Sequence, residues 1–118
     1  MKNPALMVQG VRLAARSGNG SLLDKIEQLL KNSNTAEPVR IAALEGLVLN
    51  KSPKAEAEIQ AILESTKPAK RTSDLAESAV RLIPAAEGGK GAGTLQNLIT
   101  DQALPLPLRR ESLRTLAN

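Results

Sequence analysis

The amino-acid sequence predicts an all-α fold in which antiparallel helix pairs stack into an α-solenoid. Three observations predict this fold: apolar residues recur at helical spacing, the unit repeats every 33 to 36 residues, and turn-forming residues keep a constant distance from the apolar positions. The core must be aliphatic, because 42% of the 118 residues are hydrophobic but none is Phe, Tyr or Trp. The Leu and Ala residues available for it both favour helix.

Each predicted repeat contains a first apolar anchor and, 19 residues later, a second one. The three pairs are Val11 and Leu30, Leu44 and Leu63, and Val80 and Ile99. Leu113 is the predicted fourth first anchor, so first anchors lie 33, 36 and 33 residues apart. The three extra residues fall in the connection 66–72, and the turn segments 17–20, 50–53 and 86–89 all begin six residues after a first anchor. Insertions confined to loops are expected of structural repeats.

The predicted helices cover residues 3–16, 21–32, 36–49, 53–65, 73–84, 93–102 and 106–117, which makes seven helices in about three and a half antiparallel pairs. They form a single predicted domain, 1–118, with repeats at 3–33, 35–66 and 72–102 and a half repeat at 105–118. Ser52 is expected to cap the helix that Pro53 starts, and Ser21 with Asp24 resembles a capping box. Pro84 is expected to end the fifth helix.

Two segments resemble the first helix of a HEAT repeat. The segments that start at Pro38 and at Pro107 share the pattern Pro–[Val/Leu]–Arg–x–x–small–Leu–x–x–Leu. The resemblance covers essentially the whole chain and implies a right-handed superhelix whose first helices line the convex face. It is partial in repeats one and three, where Pro4 lies one residue further from its anchor and Ser73 opens a segment without the Pro-x-Arg entry. The tetratricopeptide family has a similar period, but its Trp, Tyr and Phe positions are empty here.

Residues 98–118 also resemble HEAT stretches of large multidomain bacterial proteins that carry a propeller-type dehydrogenase and a c-type haem domain. Neither catalytic module is present in this sequence. Attachment of a c-type haem requires Cys and His, and the chain contains no residue of either type.

Composition and motif spacing favour a protein without catalytic activity, cofactor or metal. Without Cys and His there is no thiolate nucleophile, imidazole base or soft metal ligand. The glycine-rich segment 87–94 does not match a phosphate-binding loop, because Lys90 precedes a glycine instead of Ser or Thr. Its place in the repeat predicts an elongated turn instead. Glu56 and Glu58 are two residues apart, so they do not face each other on a helix.

Basic side chains provide the candidate interaction surface. Most arginines fall on the first helices of the pairs, and a short cluster lies in the connection 67–71; the candidate residues are Arg12, Arg40, Arg81, Arg109, Arg110, Arg114, Lys67, Lys70 and Arg71. These residues either form a solvated surface and loop or a contact ridge for an acidic partner. The second helices carry mixed polar and acidic residues, so the concave face is predicted to be polar and partly acidic.

The predicted function is a non-catalytic scaffold that mediates protein–protein interaction or spaces domains within a larger protein. The alternative is binding to the phosphate backbone of a nucleic acid, although the chain has no aromatic residues for base stacking. No apolar run is long enough to span a bilayer. The last predicted helix has more apolar residues than an isolated helix buries, which favours either a segment of a longer protein or self-association through that helix. The compartment is not predicted.

Overall fold

The computed structural model describes residues 3–68 and 70–117, and within these ranges the regular structure is entirely helical. The helices are α1 (Pro4–Ser17), α2 (Gly20–Lys31), α3 (Glu37–Leu49), α4 (Lys54–Thr66), α5 (Asp74–Glu87), α6 (Gly91–Thr100) and α7 (Leu106–Ala117). A 3-10 turn, Gly88–Lys90, joins α5 to α6. The all-α prediction is confirmed. The ends of the predicted domain 1–118 and residue 69 of the basic segment 67–71 lie outside the described residues.

The chain divides into two compact units, Met1–Ala55 and Glu56–Asn118. In the first unit α3 packs against both α1 and α2. Its buried face includes the small residues Ala42, Ala43 and Gly46, which let neighbouring backbones approach closely. A Cβ atom added to Gly46 would lie only 2.9 Å from the Cβ of Ala15, so α1 and α3 touch at this point without room for a further methyl group.

Asn50 holds the same two helices together by hydrogen bonds. It follows the last residue of α3, and its amide nitrogen Nδ2 donates to the backbone oxygens of Ala15 and Gly46, each at 2.8 Å. The carbonyl groups in the last turn of a helix have no partner within the helix. These two oxygens also accept the backbone N–H groups of Gly18 and Asn50, so the Asn50 side chain adds a second donor to each and links the last turns of α1 and α3.

In the second unit α5 and α6 both contact α7, and α5 also contacts α6. The core positions of α5 are Ala76, Ala79, Val80 and Ile83, all fully buried. Gly91 at the start of α6 allows the close approach to α5, because a Cβ atom there would lie 3.2 Å from the Cα of Pro84. Across the α5–α7 contact, Arg81 places Nη1 3.6 Å from Oε1 of the buried Glu111, and within α7 Arg114 places its Nη1 at the same distance from that oxygen.

Several predicted helix ends need correction. The cap of α2 is Asn19, not Ser21: Asn19 Oδ1 accepts the backbone N–H groups of Ser21 and Leu22, so the helix begins one residue earlier than expected. The Ser52 cap is confirmed, since Ser52 Oγ accepts the backbone N–H of Lys54 at 3.2 Å. Pro53, however, precedes α4 instead of starting it.

The prediction that Pro84 ends α5 is wrong, because the helix continues through Glu87. A proline removes one N–H donor, but later residues can still donate, and the N–H of Gly88 bonds to the Pro84 oxygen. Gly88 ends the helix with φ 61° and ψ −131°, a conformation that favours glycine. The turn predicted at 87–94 is consequently much shorter, since residues from Gly91 onward are already in α6.

The predicted anchors are buried in most cases. Those confirmed are Val11, Leu30, Leu44, Leu63 and Val80, whereas Ile99 is half-buried. Leu113 as the fourth first anchor is wrong, because 56% of the residue is exposed. The face of α7 that is buried contains Leu108, Glu111 and Ser112. Leu113 lies roughly 140° around the helix from Leu108, so it points away from that face.

Candidate functional site

A cleft in the second unit is lined by α4, α6 and the last residue of α5. It has a volume of about 270 Å³. Its apolar lining comes from Ile59, Leu63 and Leu98, and its amide groups from Gln60 and Asn97. A volume near the lower end of the range for small-molecule sites suits one side chain or a small ligand better than a large cofactor.

Glu87 is the buried carboxylate of this cleft. It is the last residue of α5, and only 9% of it is exposed. Thr94, in the first turns of α6, donates its hydroxyl to Glu87 Oε1 at 2.5 Å. The close α5–α6 contact at Gly91 places the two residues together.

The second oxygen of this carboxylate, Glu87 Oε2, has no hydrogen-bond partner among the described residues. A buried acceptor without a partner costs about 1–3 kcal/mol, and in native proteins such groups are rare. Across the described ranges, this is the one buried side-chain oxygen or nitrogen atom in that condition. The cleft therefore contains an acceptor that the protein's own groups leave unsatisfied.

Lys67 connects the end of α4 to the end of α6 at the same cleft. Its Nζ lies 2.9 Å from Asp101 Oδ2 and 2.9 Å from Glu64 Oε1. The hydrogen bond to Asp101, followed by the one to Glu64, raises the pKa of Lys67. Lys67 and the backbone N–H of Ala103 lower the pKa of Asp101. This ammonium is thus already neutralised by two carboxylates.

The electrostatic balance of the cleft is negative. Its lining includes three carboxylates, Glu64, Glu87 and Asp101, and one ammonium, Lys67, which gives a formal charge of −2 at neutral pH. Apolar walls around a net negative charge favour a cationic group on an aliphatic stem.

The predicted basic surface is divided among different roles. Arg40 and Arg109 are half-buried, and each donates Nε to a backbone oxygen of the preceding helix: Arg40 to Leu30 at 2.8 Å and Arg109 to Ile99 at 2.9 Å. Their primary contacts are therefore within the fold.

Arg81 and Arg114 both pair with Glu111, although their side chains remain 53% and 72% exposed. Arg110 is exposed on α7, and Lys70 and Arg71 are exposed after α4. Lys67, predicted to belong to a solvated basic loop together with these two residues, is instead paired with Glu64 and Asp101.

Arg12 belongs to a second, shallower cleft, which lies in the first unit between α1 and α3. It has a volume of about 250 Å³, and its lining includes Arg12, Arg16 and Glu45. Gly46 and Ala15 form its floor, where the two helices touch. Since each polar group here is exposed, this cleft does not contain a buried group that lacks a partner.

Sequence reasoning did not identify Glu87 and Thr94 as site residues. The segment that contains both was assigned to a turn, so their side chains were not expected to meet. The contact depends on α6 beginning at Gly91, and no periodicity in the sequence predicts that start.

Among residues 3–68 and 70–117, no group of three or more carboxylate side chains is arranged to hold a metal ion. Within the same ranges, none of the helices has the length and apolar character required to cross a membrane.

Comparison of this chain with protein-family models, with curated proteins and with solved structures found no match.

Proposed function

We propose that this chain is a HEAT-like α-solenoid segment that acts as a non-catalytic scaffold and binds a segment of another protein, or of a neighbouring domain. In this proposal the helices form about three and a half antiparallel pairs that stack in one direction. The second helices α2, α4 and α6 then line the surface offered to the partner, and the cleft between α4 and α6 belongs to that surface.

The observation that carries the proposal is a hydrogen bond that recurs at the repeat spacing. Arg109 and Ile99 lie 69 residues after Arg40 and Leu30, and in both pairs the arginine Nε donates to the backbone oxygen. The residue before each arginine, Val39 or Leu108, is fully buried. Both helix junctions therefore have an arginine that binds an oxygen ten residues earlier and a buried aliphatic residue directly before that arginine. This recurrence supports a structural repeat.

Insertion of one more repeat tests the stacked arrangement. A second copy of residues 35–66, placed directly after residue 66, adds one helix pair to a solenoid without disturbing the others, because each repeat contacts only its neighbours. We expect helicity measured by circular dichroism to increase in proportion to length, with a melting temperature no lower than that of the parent chain. Loss of cooperative melting on insertion would contradict the stacked arrangement.

Selection of displayed random peptides against the chain tests the binding function. We expect peptides that bind saturably and shift the backbone amide resonances of α4 and α6. A matched selection against a chain with Gln60 and Asn97 both replaced by Lys, which alters this surface without touching the core, should not enrich the same peptides. Failure to enrich any peptide above the background of the display vector would refute the proposal.

Binding to nucleic acid has weaker support, because most of the predicted basic residues are engaged elsewhere. Arg40 and Arg109 bind backbone oxygens, Arg81 and Arg114 pair with Glu111, and Lys67 pairs with Glu64 and Asp101. A titration of random duplex DNA at several salt concentrations distinguishes the two functions. Affinity that falls steeply with salt would favour the phosphate-binding alternative.

A further inference from the structure

We propose that the cleft between α4 and α6 is a binding site for an alkylammonium group, and that its natural occupant is a lysine side chain of the partner segment. The inference rests on the proposed interaction function and specifies the chemistry that this surface recognises. It is carried by Glu87, which lines the cleft, is nine-tenths buried and has one carboxylate oxygen without a hydrogen-bond partner among the described residues.

The charge of the occupant follows from the groups that line the cleft. Glu64, Asp101 and Glu87 carry three negative charges, and the single ammonium of Lys67 lies within 2.9 Å of the first two. Among these three carboxylates, Glu87 is the one that has no ion pair with a cation of the described residues, since Lys67 pairs with the other two. A cation that enters the cleft would supply a donor to Glu87 Oε2, which the fold itself does not provide.

The number of available oxygen atoms favours ammonium over guanidinium. A guanidinium group gains most from a carboxylate when both oxygens accept in parallel. Thr94 already donates a 2.5 Å hydrogen bond to Glu87 Oε1, so Oε2 is the carboxylate oxygen without a donor, and a parallel contact to both oxygens would have to share Oε1 with Thr94. An ammonium is a compact charge with three donors that do not need a planar fork. One of its N–H groups would bind Oε2, and the amide oxygens of Gln60 and Asn97 are acceptors for the others.

The shape of the cleft favours an aliphatic stem behind the charge. Ile59, Leu63 and Leu98 supply apolar walls, and the cavity of about 270 Å³ is close to the size of a single extended side chain with its immediate surroundings. Lysine buries its methylene groups along such walls while its charged end finds a polar partner.

A nuclear magnetic resonance titration of the full chain tests the inference. The probes are a capped Gly-Gly-Lys-Gly-Gly peptide, the same peptide with acetyl-lysine, the same peptide with arginine, and free 1,5-diaminopentane. We expect the lysine peptide to shift the backbone amides of Glu87, Thr94 and Leu98 saturably. The acetylated peptide, which keeps the aliphatic stem and loses the charge, should bind at least about tenfold more weakly than the lysine peptide.

The other two probes separate the possible sources of the cation. The lysine peptide should bind more tightly than the diamine, because the backbone of a peptide adds contacts that a free amine does not have. Tighter binding of the diamine would assign the site to a small metabolite-like amine and overturn the assignment to a partner lysine. Tighter binding of the arginine peptide would overturn the ammonium assignment.

Variants of the protein identify the responsible oxygen. Glu87→Gln keeps the volume and removes the charge, so it should weaken lysine-peptide binding by about tenfold or more. Glu45→Gln is the matched control: it removes an exposed carboxylate on α3 that does not line this cleft, and it should change the affinity by about threefold or less. Equal effects of the two substitutions would refute the role of Glu87. Because the peptide comparison uses the unmodified chain, it remains decisive if Glu87→Gln does not fold.

Failure of this inference can be distinguished from failure of the proposed function. If the displayed-peptide selection yields ligands without lysine that shift the α4 and α6 resonances, the scaffold function stands and the lysine site is refuted. If the selection yields no ligand while the lysine peptide still shifts Glu87 and Thr94, the cleft binds amines and the protein-binding function is refuted.

Discussion

Arg40 and Arg109 show how one side chain stabilises a junction between consecutive helices. The last carbonyl groups of a helix have no intrahelical donor. Leu30 and Ile99 lie near the ends of α2 and α6, and their oxygens accept Nε–H of the arginine in the first turns of the following helix. A guanidinium group has five N–H donors in one plane, so Nε–H can bind this oxygen while the other N–H groups point elsewhere. A lysine ammonium has its three donors on one nitrogen atom and cannot divide them in this way.

The first residue-scale prediction concerns these arginines. Arg40→Met and Arg109→Met should each lower the free energy of unfolding by about 1–2 kcal/mol, because a charge-assisted hydrogen bond is lost and a backbone oxygen loses its partner. Urea denaturation monitored by circular dichroism measures the change. Arg110→Met, at an exposed position on α7, is the control and should stay within about 0.5 kcal/mol. Equal effects at Arg40, Arg109 and Arg110 would contradict the assigned role.

The second residue-scale prediction concerns Glu27 and pH. The hydrogen bond from Lys54, at 3.0 Å, is the largest cause that lowers the pKa of Glu27 below its usual 4.5, and Lys31 adds to it. A lowered folded-state pKa contributes stability that is present above the unfolded pKa and is lost as the pH falls through the folded value. Lys54→Met should therefore destabilise the chain at pH 7, and the difference should disappear as the pH falls well below 4.5.

The size of this effect is small because the Lys54 side chain is 58% exposed. Solvent screening limits such a pair to about 0.2–1 kcal/mol. Denaturation midpoints compared between pH 7 and pH 3 give the measurement, with Lys25→Met, an exposed lysine of the same α2 helix, as the control. A Lys54→Met difference that persists unchanged at pH 3 would rule out the assigned linkage.

At the scale of helices, α1 and α3 show why a glycine is required at one helical position and not at another. Gly46 lies inside α3 with its Cα against Ala15 of α1, and an added Cβ would be 2.9 Å from the Ala15 methyl carbon. Gly10 lies inside α1, and nothing comes within 4 Å of a Cβ atom built there. Both glycines lower helix propensity, but only Gly46 allows two helices to approach each other.

The third prediction follows from this difference. Gly10→Ala should stabilise the chain by about 0.5–1 kcal/mol, because alanine has the higher helix propensity and meets no neighbour. Gly46→Val should destabilise it by about 1–3 kcal/mol, because the added methyl groups force α1 and α3 apart. Thermal melts of the two variants give opposite signs if the contact is as described. A stabilising Gly46→Val would show that the two helices can separate without cost.

At the scale of the whole molecule, residues at equivalent positions of the repeat pattern can differ in burial. Leu44 and Leu113 occupy the same place in the repeated pattern, 69 residues apart, yet Leu44 is fully buried and Leu113 is 56% exposed. The buried face of α3 includes Leu44, whereas that of α7 contains Leu108 and Ser112. Sequence equivalence therefore does not imply equal burial, because burial depends on which neighbouring elements cover a helix.

The fourth prediction measures that difference. Leu44→Ala should destabilise the chain by about 2–5 kcal/mol, since it leaves a cavity among fully buried neighbours. Leu113→Ala should change stability by less than about 0.5 kcal/mol, because the side chain is already more than half exposed. Urea denaturation of both variants gives the comparison. If Leu113→Ala costs as much as Leu44→Ala, Leu113 is buried in solution, which self-association through α7 would explain.

The sequence by itself determined the helical class, nearly all of the helix positions and most of the anchor residues. Local interactions decide these properties: apolar spacing selects a helix face, Asn and Ser satisfy its first N–H groups, and glycine ends it. The recurrence of Pro-x-Arg in α3 and α7 also followed from the sequence. That both arginines bind a backbone oxygen was visible only once the preceding helix was in place.

Only the tertiary structure decided the cleft and the burial of individual residues. Glu87 and Thr94 meet because α5 continues past Pro84 and α6 begins at Gly91, so their contact depends on two helix ends that local patterns misplaced. Lys67 was expected in a solvated loop and is held by carboxylates from two helices. Contacts between residues far apart in sequence depend on how helices pack, and that packing is a property of the assembled elements and not of any one segment.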